Sequence, residues 1–234
     1  GNNDLKGDLR LPVDIIGGKT LKQVIENYLN VNGLISLNDW ENYGGYYPFH
    51  TMQTGGLLGA HVDHSHSLSD NKLLHVANAI FYVSQKWNKD WGGETLLFNS
   101  TGLKIIKKII PKPNRLILFI HSSTSFHGVN KTRNPSGVTR NTYYMDYYIN
   151  DDQMKKLKVN LKKKFNLNLK YRHHNTVFIP LFHLGFQSFN FKSIFSRTTF
   201  IYIFKYLRYL IGRYLLGYNS SIYLRKLGIK FWKK

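Results

Sequence analysis

Apolar runs alternate with turn-forming residues through the middle of the chain. Five of these runs are rich in β-forming residues and predict strands: residues 74–84, 94–99, 115–120, 125–129 and 141–149. Gly-Gly at 92–93 and Pro-Asn at 113–114 mark turns between strands. Several short strands with few helical stretches between them favour a mainly β fold, a sandwich or barrel, over a parallel α/β sheet.

Two other segments have the periodicity of helices. Residues 21–29 predict a short helix with one apolar face. Residues 199–216 predict a longer helix, whose apolar face consists of Phe200, Ile203, Phe204, Leu207, Leu210, Ile211, Tyr214 and Leu215. Lys205, Arg208 and Arg213 lie on the opposite face, and three charges within this length argue against a membrane-spanning helix. Residues 43–59, rich in glycine and aromatic residues, are expected to form a loop.

Charge divides the chain unevenly. The net charge is +20, but residues 1–150 have 15 Lys+Arg against 11 Asp+Glu. Residues 151–234 have 18 Lys+Arg against two acids, Asp151 and Asp152. This asymmetry predicts a domain over residues 1–150 and a basic, aromatic, partly helical extension over residues 151–234.

The basic extension is open to three interpretations. In the first, the predicted helix packs its apolar face on the β core while the cations stay solvated. Alternatively, the helix lies on an anionic membrane surface, which the aromatic and basic composition also suits. Nucleic-acid binding is the least favoured interpretation, because no recognised nucleic-acid-binding module is present.

The chain contains no cysteine, which restricts its chemistry. Disulfides, zinc–thiolate sites, iron–sulfur clusters and a cysteine nucleophile are excluded, so any metal must be held by His, Asp or Glu. Together with the absence of a signal-peptide pattern, this favours a cytoplasmic location, peripheral to the membrane if the predicted helix is interfacial. Because the first residue is Gly1, the natural N-terminus is expected to lie further upstream.

His61 and Asp63 are separated by one residue on a short strand-like segment. Alternate residues on a strand point to the same side, so both can approach one ion while Val62 faces away. His127 follows after 63 intervening residues, enough for the strands of a closing sheet. Two histidines and one carboxylate form the facial triad of non-haem iron enzymes. Arg140 begins the next predicted strand, where it could pair with a carboxylate.

Four stretches resemble the prolyl 4-hydroxylase-like group of the iron(II)- and 2-oxoglutarate-dependent oxygenases. They are GGLLGAHVDHS, ANAIFYVSQKWNKDWGGETLLF, PNRLILFIHSSTSFHGV and RNTYYMDYY, which together cover roughly residues 43–150. The order of the motifs, their spacing and their strand context all match. The resemblance implies a double-stranded β-helix, a jelly-roll or cupin-like core with flanking helices.

The resemblance also implies a site and a reaction. Iron(II) would be held by His61, Asp63 and His127, and Arg140 would bind the distal carboxylate of 2-oxoglutarate. Tyr82 and Asn78 would line the co-substrate pocket. The enzyme would use O2 to hydroxylate a C–H bond with release of succinate and CO2, with ascorbate (L-ascorbic acid) as reductant. A protein prolyl side chain, a free amino acid, a saccharide and a lipid-linked intermediate all remain open as substrates.

Several alternatives accompany these assignments. Arg133 and Lys131 compete with Arg140 for the co-substrate carboxylate, and Glu94 is an alternative, cupin-like metal ligand. A core tyrosine is the simpler interpretation of Tyr82. The chain could also be a catalytically silent relative, or a basic interaction protein whose extension binds a membrane or nucleic acid.

Three further polar residues receive only simple interpretations. His64 and His66 are expected to shape the site entrance or to be solvated, and Asp146 is expected to face solvent from its strand.

Overall fold

The computed structural model describes residues 11–36, 49–67, 70, 72–165, 176–179, 195 and 197–211. The predicted loop residues 43–48 and the end of the predicted C-terminal helix, residues 212–216, lie outside these ranges, as do most of residues 166–196. No helix within the described ranges has the length and apolar character needed to cross a bilayer.

The described residues contain ten strands, which form two antiparallel sheets. The first sheet contains β1 (Ile35–Ser36), β2 (Phe49–Met52), β4 (Leu74–Tyr82), β7 (Leu116–Ile120) and β9 (Arg140–Ile149). The second contains β3 (Leu58–Val62), β5 (Thr95–Phe98), β6 (Ile105–Ile109), β8 (His127–Val129) and β10 (Val177–Phe178). The order is β1-β9-β4-β7 in the first sheet, with β2 also on β9, and β10-β3-β8-β5-β6 in the second.

The helices in the described ranges are α1 (Leu11–Gly17), α2 (Lys19–Leu29), α3 (Asp151–Phe165) and α4 (Arg197–Ile211), with a short 3-10 helix at Lys89–Trp91. The architecture is therefore mainly β, and the predicted double-stranded β-helix with flanking helices is confirmed.

The five predicted strands and the predicted helix at 21–29 are all present, within a few residues of their predicted ends. The elements missed from the sequence are β1, β2, β6, β10, α1 and α3. The loop expected over residues 43–59 is wrong where β2 and the start of β3 lie, because these strands carry no clear apolar alternation. Strand β6 (sequence IIKKI) is mostly exposed, and α1 is short. In α3 only Met154, Leu157 and Leu161 are buried, so its lysines hide the helical period.

The outer face of the first sheet packs on α1, α2 and α3. On β9, Tyr143, Met145, Tyr147 and Ile149 point to this side and join one apolar cluster with residues of all three helices. Each large apolar side chain buried there contributes about 1.5–3 kcal/mol. The alternate residues of β9, from Arg140 to Asp146, point between the two sheets, because side chains on a strand alternate.

The outer face of the second sheet has its own apolar cover. Ala60, Val62, Leu96 and Phe98 form a cluster with Phe126 and with Tyr209 of α4. Val62 is fully buried there, so it faces away from His61 as predicted. With both outer faces apolar and covered, the polar side chains are concentrated between the sheets.

Helix α4 presents a different face to the sheet than the sequence predicted. Tyr209 is buried and its hydroxyl donates to the Ser123 carbonyl, while Tyr206 packs beside it. Of the predicted apolar face, Leu210 is partly buried, but Phe200, Phe204, Leu207 and Ile211 are exposed. The expectation that this whole face packs on the β core is therefore wrong. The tyrosines are preferred inside because each buries a ring and has a hydroxyl that can be satisfied.

Residues beyond 150 contact the earlier part of the chain at several points. The Asn160 side-chain amide donates to the carbonyls of Leu29 and Asn30, at the end of α2. Strand β10 pairs with β3 at the edge of the second sheet. The functional division of the chain at residue 150 stays a prediction.

We expect Leu157→Ala, in α3, to lower the free energy of unfolding by about 3 kcal/mol, because it leaves a cavity in the cluster beneath the first sheet. Val159→Ala is the matched control, since Val159 is exposed on the same helix, and it should change stability by less than about 0.5 kcal/mol. Urea denaturation measures both. Equal midpoints for the two variants would show that α3 does not contribute to the core.

Candidate active site

His61, Asp63 and His127 come together between the two sheets. His61 of β3 and His127 of β8 are direct cross-strand partners, and their ring centroids lie 4.3 Å apart. Asp63 follows the end of β3. Its two carboxylate oxygens lie 3.4 Å from His61 Nε2 and 3.3 Å from His127 Nε2. One ligand atom from each residue lies within 4.8 Å of the others, close enough to hold one metal ion.

Both imidazole rings are oriented by backbone carbonyls. Nδ1 of His61 lies 2.8 Å from the Gly59 carbonyl, and Nδ1 of His127 lies 3.0 Å from the Ser125 carbonyl. A carbonyl only accepts, so each Nδ1 carries the proton and donates it. Nε2 of both rings, beside Asp63, is therefore the atom that would face a bound metal, unprotonated, which is the usual arrangement of metal-binding histidines. Two imidazoles and one carboxylate therefore fit Fe(II).

The electrostatics of this cluster favour a positive species between the three side chains. Burial by itself raises the pKa of Asp63, but His127 and His61 lower it more, so the pKa is well below its ordinary value. Burial lowers the pKa of His127, but the Asp63 carboxylate raises it more, so the net direction is upward. A bound cation would satisfy the same carboxylate.

The triad opens into a pocket of about 150 Å³ between the sheets. Its polar lining consists of His50, His61, Asp63, Asn78, Thr95, His127, Arg140, Thr142 and Tyr144. Its remaining lining consists of Leu58, Ile80, Phe119, Gly128 and Val129. Five of the six predicted site residues therefore line this pocket, and Tyr82 is the one that does not.

Arg140 is a buried cation in the pocket wall. Its Nε donates to the Gly93 carbonyl at 2.7 Å and one terminal nitrogen donates to Thr95 Oγ1 at 3.1 Å. No carboxylate within the described ranges forms an ion pair with it, and burial lowers its pKa. An unpaired buried guanidinium is costly, so this wall of the pocket is suited to an anionic ligand.

Gly93 makes room for this arginine. It adopts a φ of +69°, and a Cβ atom there would lie 3.1 Å from Cδ of Arg140 and 3.0 Å from the Trp87 ring. Glycine is therefore required both by the backbone conformation and by the close approach of the arginine.

The alternatives to Arg140 are placed elsewhere. Lys131 and Arg133 are exposed and do not line the pocket. Tyr82 is fully buried behind Arg140: its hydroxyl is 2.5 Å from Thr95 Oγ1, and its ring lies 5.1 Å from the Arg140 guanidinium carbon. Tyr82 thus supports the arginine from behind.

Glu94, the alternative metal ligand, accepts a hydrogen bond from the Asn130 amide and is not part of the ligand cluster.

Several lining residues were missed from the sequence. Thr142 and Tyr144 share a face with Arg140, so the period of two along β9 was a usable signal. His50 lies on β2, beside Tyr144, with ring centroids 4.3 Å apart. It was missed because β2 was not predicted.

Asn78 connects the triad to a second group of polar residues. Its side-chain nitrogen donates to Asp63 Oδ2 at 3.3 Å and to Asp146 Oδ1 at 2.7 Å. Its Oδ1 is buried with no hydrogen-bond partner in the described part of the chain. Because Asn78 lines the pocket, that oxygen is available to a ligand or water donor.

The second group, His64, His75 and Asp146, is buried, as is His66. The expectations that His64 and His66 lie at the entrance or in solvent, and that Asp146 faces solvent, are therefore wrong. Asp146 points inward because it shares the β9 face of Arg140. The three groups could geometrically hold an ion, but the hydrogen bonds of His75 favour a different state.

His75 is placed to be an imidazolium. Nδ1 lies 3.0 Å from the His64 carbonyl, and Nε2 lies 3.2 Å from the Ala77 carbonyl and 3.4 Å from Asp146 Oδ1. Both ring nitrogens face oxygen acceptors, so both carry protons. Burial lowers the pKa of His75, but Asp146 raises it more, with a net upward direction. His75 and Asp146 thus form a buried ion pair behind the triad.

The sequence of residues 47–145 matches the model of the 2OG-Fe(II) oxygenase superfamily. The match covers 99 of the 234 residues, and it confirms that the motifs of this region resemble those of that superfamily. No curated protein matches the chain in sequence.

Solved structures with similarity to this one include two of prolyl 4-hydroxylases. That of Pseudomonas putida prolyl-4-hydroxylase is 16% identical, with a TM-score of 0.37 over 56% of this chain and 59% of that chain. That of a prolyl 4-hydroxylase from Phytophthora capsici is 17% identical, with a TM-score of 0.40 over 62% of this chain and 44% of that one. The aligned part thus spans less than two thirds of either. A Yersinia pseudotuberculosis-derived mitogen is 15% identical, with a TM-score of 0.24 over 52% of this chain and 90% of that chain.

We expect Asp146→Asn to destabilise the protein in a pH-dependent way. Removing one partner of a buried ion pair costs about 3–5 kcal/mol when the other stays charged. Because the folded-state pKa of His75 is raised above 6.5, the stabilisation by the pair is complete below that pH. It is lost as the pH rises through the raised pKa.

Denaturation of the wild type and the variant at pH 6 and at pH 8.5 measures this difference. The control is Asp152→Asn, because the Asp152–Lys155 pair is exposed and contributes little. A cost of Asp146→Asn that does not decrease at the higher pH would contradict the charged state of His75.

Proposed function

We propose that this protein is an Fe(II)- and 2-oxoglutarate-dependent dioxygenase that hydroxylates a C–H bond, with consumption of O2 and release of succinate and CO2. One observation carries the proposal. The buried Arg140, which has no acidic partner in the described chain, faces the same pocket as the His61–Asp63–His127 triad. A metal site and an anion site in one pocket are what a chelating dicarboxylate co-substrate requires.

His61, Asp63 and His127 would hold the metal through two Nε2 atoms and a carboxylate oxygen. Bound Fe(II) supplies the activation of O2 and the oxidative decarboxylation of 2-oxoglutarate. The protein's part is to fix the ligands. The Gly59 and Ser125 carbonyls hold the two rings in the tautomer that presents Nε2, and Asn78 holds one oxygen of Asp63.

Arg140 would bind the distal carboxylate of 2-oxoglutarate, assisted by the hydroxyl of Thr95. The guanidinium is already oriented by the Gly93 carbonyl and by Thr95, and supported by the Tyr82 ring. A preorganised cation in a buried wall binds a carboxylate more strongly than a solvated one does, because little desolvation remains to be overcome.

The apolar part of the lining would limit access of water to the metal. Leu58, Ile80, Phe119 and Val129 contribute to it, and the Phe119 ring lies 5.0 Å from that of His127. The substrate stays open among a protein side chain, an amino acid, a saccharide and a lipid-linked molecule. Ascorbate stays an expected reductant, tested by the dependence of turnover on its addition.

A catalytically silent relative is the second candidate. The complete triad, the tautomers of both histidines and the unpaired Arg140 favour the enzyme, because a site without function has no need of a buried uncompensated cation.

We expect His61→Ala to abolish succinate formation and to weaken Fe(II) binding. The loss should exceed the roughly 10–100-fold that removal of an outer-shell partner costs. Glu94→Gln is the matched control, since Glu94 was the alternative ligand, and it should bind Fe(II) as the wild type does. Anaerobic binding, followed by metal analysis after desalting and by the visible absorption band with 2-oxoglutarate, separates the two. Wild-type binding by His61→Ala would exclude the triad.

We expect Arg140→Gln to raise the Kd of 2-oxoglutarate by roughly 30-fold or more, the effect of losing about 2 kcal/mol from a buried charge pair. Fe(II) binding should persist. Arg133→Gln and Lys131→Gln, both at exposed positions, should leave the Kd within about twofold. Titration of the Fe(II)-loaded variants with 2-oxoglutarate decides which cation is the anchor. A Kd raised only in Arg133→Gln would overturn the assignment.

A further inference from the structure

Helix α4 exposes a continuous apolar stripe. Phe200, Phe204, Leu207 and Ile211 recur at spacings of four, three and four residues, so they share one face of the helix. Their side chains are 58%, 59%, 51% and 44% exposed. A single exposed apolar residue is ordinary, but four in one contiguous row mark an interaction surface. We call this row the α4 stripe.

The α4 stripe is held outward by the opposite side of the helix. Tyr209 is buried in the apolar cluster with Phe126, and its hydroxyl donates to the Ser123 carbonyl. Thr199 is fully buried on the same side, and Tyr206 packs against the cluster. Rolling the helix to bury the stripe would expose these residues and break the tyrosine hydrogen bond. The exposure is therefore fixed by packing.

The charges on α4 are all positive. Lys205 and Arg208 are partly exposed on this helix. No Asp or Glu follows Asp152 in the sequence, and residues 151–234 have 18 Lys+Arg. An apolar row on a helix that carries cations and no acids matches the surface of an anionic bilayer, where apolar side chains enter the acyl boundary and cations meet phosphates.

Other occupants fit less well. A second copy of this chain would bring two strongly basic surfaces together, and their repulsion opposes association. Nucleic acid would be contacted through cations and aromatic rings, whereas Leu207 and Ile211 offer neither. We therefore propose that the α4 stripe docks this protein on an anionic lipid surface.

Ring contacts connect helix α4 to the metal site. Tyr202 of α4 contacts Phe178 with ring centroids 5.2 Å apart, and Phe178 stacks on His61 at 4.9 Å. Helix α4 is thus two ring contacts away from a ligand of the triad. Docking through α4 holds the pocket close to the bilayer.

The test is co-sedimentation of the full-length chain with vesicles of phosphatidylcholine alone and of phosphatidylcholine with phosphatidylglycerol. We expect binding only to the anionic vesicles, weakened by salt. The double variant F204S/L207S should lower the partition coefficient at least about tenfold, because two apolar anchors are lost. The matched control V24S/V159S changes two apolar residues that are exposed on α2 and α3, and it should change the coefficient by less than about twofold.

Three outcomes would overturn the proposal. The first is that the wild type does not bind anionic vesicles. The second is that F204S/L207S binds them as well as the wild type, which would place lipid binding in the other basic residues. The third is a wild-type mass in sedimentation equilibrium that exceeds one chain and falls to one chain in F204S/L207S, without an effect on lipid binding. That result would make the stripe a contact between copies. Circular dichroism and succinate formation by both double variants check that the fold and the pocket are intact. Neither pair of substitutions lies in the site. Failure of the oxygenase assignment would therefore appear as absent succinate formation in the wild type, independently of lipid binding.

Discussion

The hydrogen bonds of the Asn78 side chain join the two halves of the buried polar interior. One amide nitrogen reaches Asp63 of the metal triad and Asp146 of the His75 ion pair. Two carboxylates in a low-dielectric interior repel each other, and hydrogen-bond donors beside each of them lower that cost. Nε2 of His61 and of His127 lies beside Asp63, while His75 Nε2 and the Tyr148 hydroxyl lie beside Asp146. These groups lie on or next to β3, β4, β8 and β9, so their contacts constrain the relative positions of the four strands.

A polar interior of this kind needs stability from elsewhere. The protein obtains it from the outer faces of its two sheets, which are apolar and covered by helices. The usual arrangement of a β-sandwich, with its apolar core between the sheets, is thus partly reversed around the pocket. The pocket can contain an unpaired arginine because the apolar clusters that stabilise the sheets lie outside it, on the opposite faces of the same strands.

The sequence predicted those parts of the fold and site that have a local signal. Strand alternation located β4, β5, β7, β8 and β9, and the His61–Asp63 spacing with His127 identified three side chains that the structure brings together. The burial of His64 and His66 has no such signal, because it depends on partners that are distant in sequence. The inward direction of Asp146 follows from its period-of-two spacing with Arg140, which the prediction that Asp146 faces solvent did not use. Two faces of α4 are similarly apolar in sequence. The face with Tyr209 is the buried one, because the Tyr209 hydroxyl has a hydrogen-bond acceptor in the Ser123 carbonyl.

Strand β10 has a consequence for how the chain can be divided. Val177 and Phe178 pair with Val62 and His61 and so cover one edge of the second sheet. Without them, β3 would present unpaired amides and carbonyls next to a metal-site histidine, which is the kind of open edge that recruits strands from other molecules. Two residues from the basic extension therefore cover an open edge of the β core. Whatever separate role that extension has, its strand β10 removes part of the edge through which the core could aggregate.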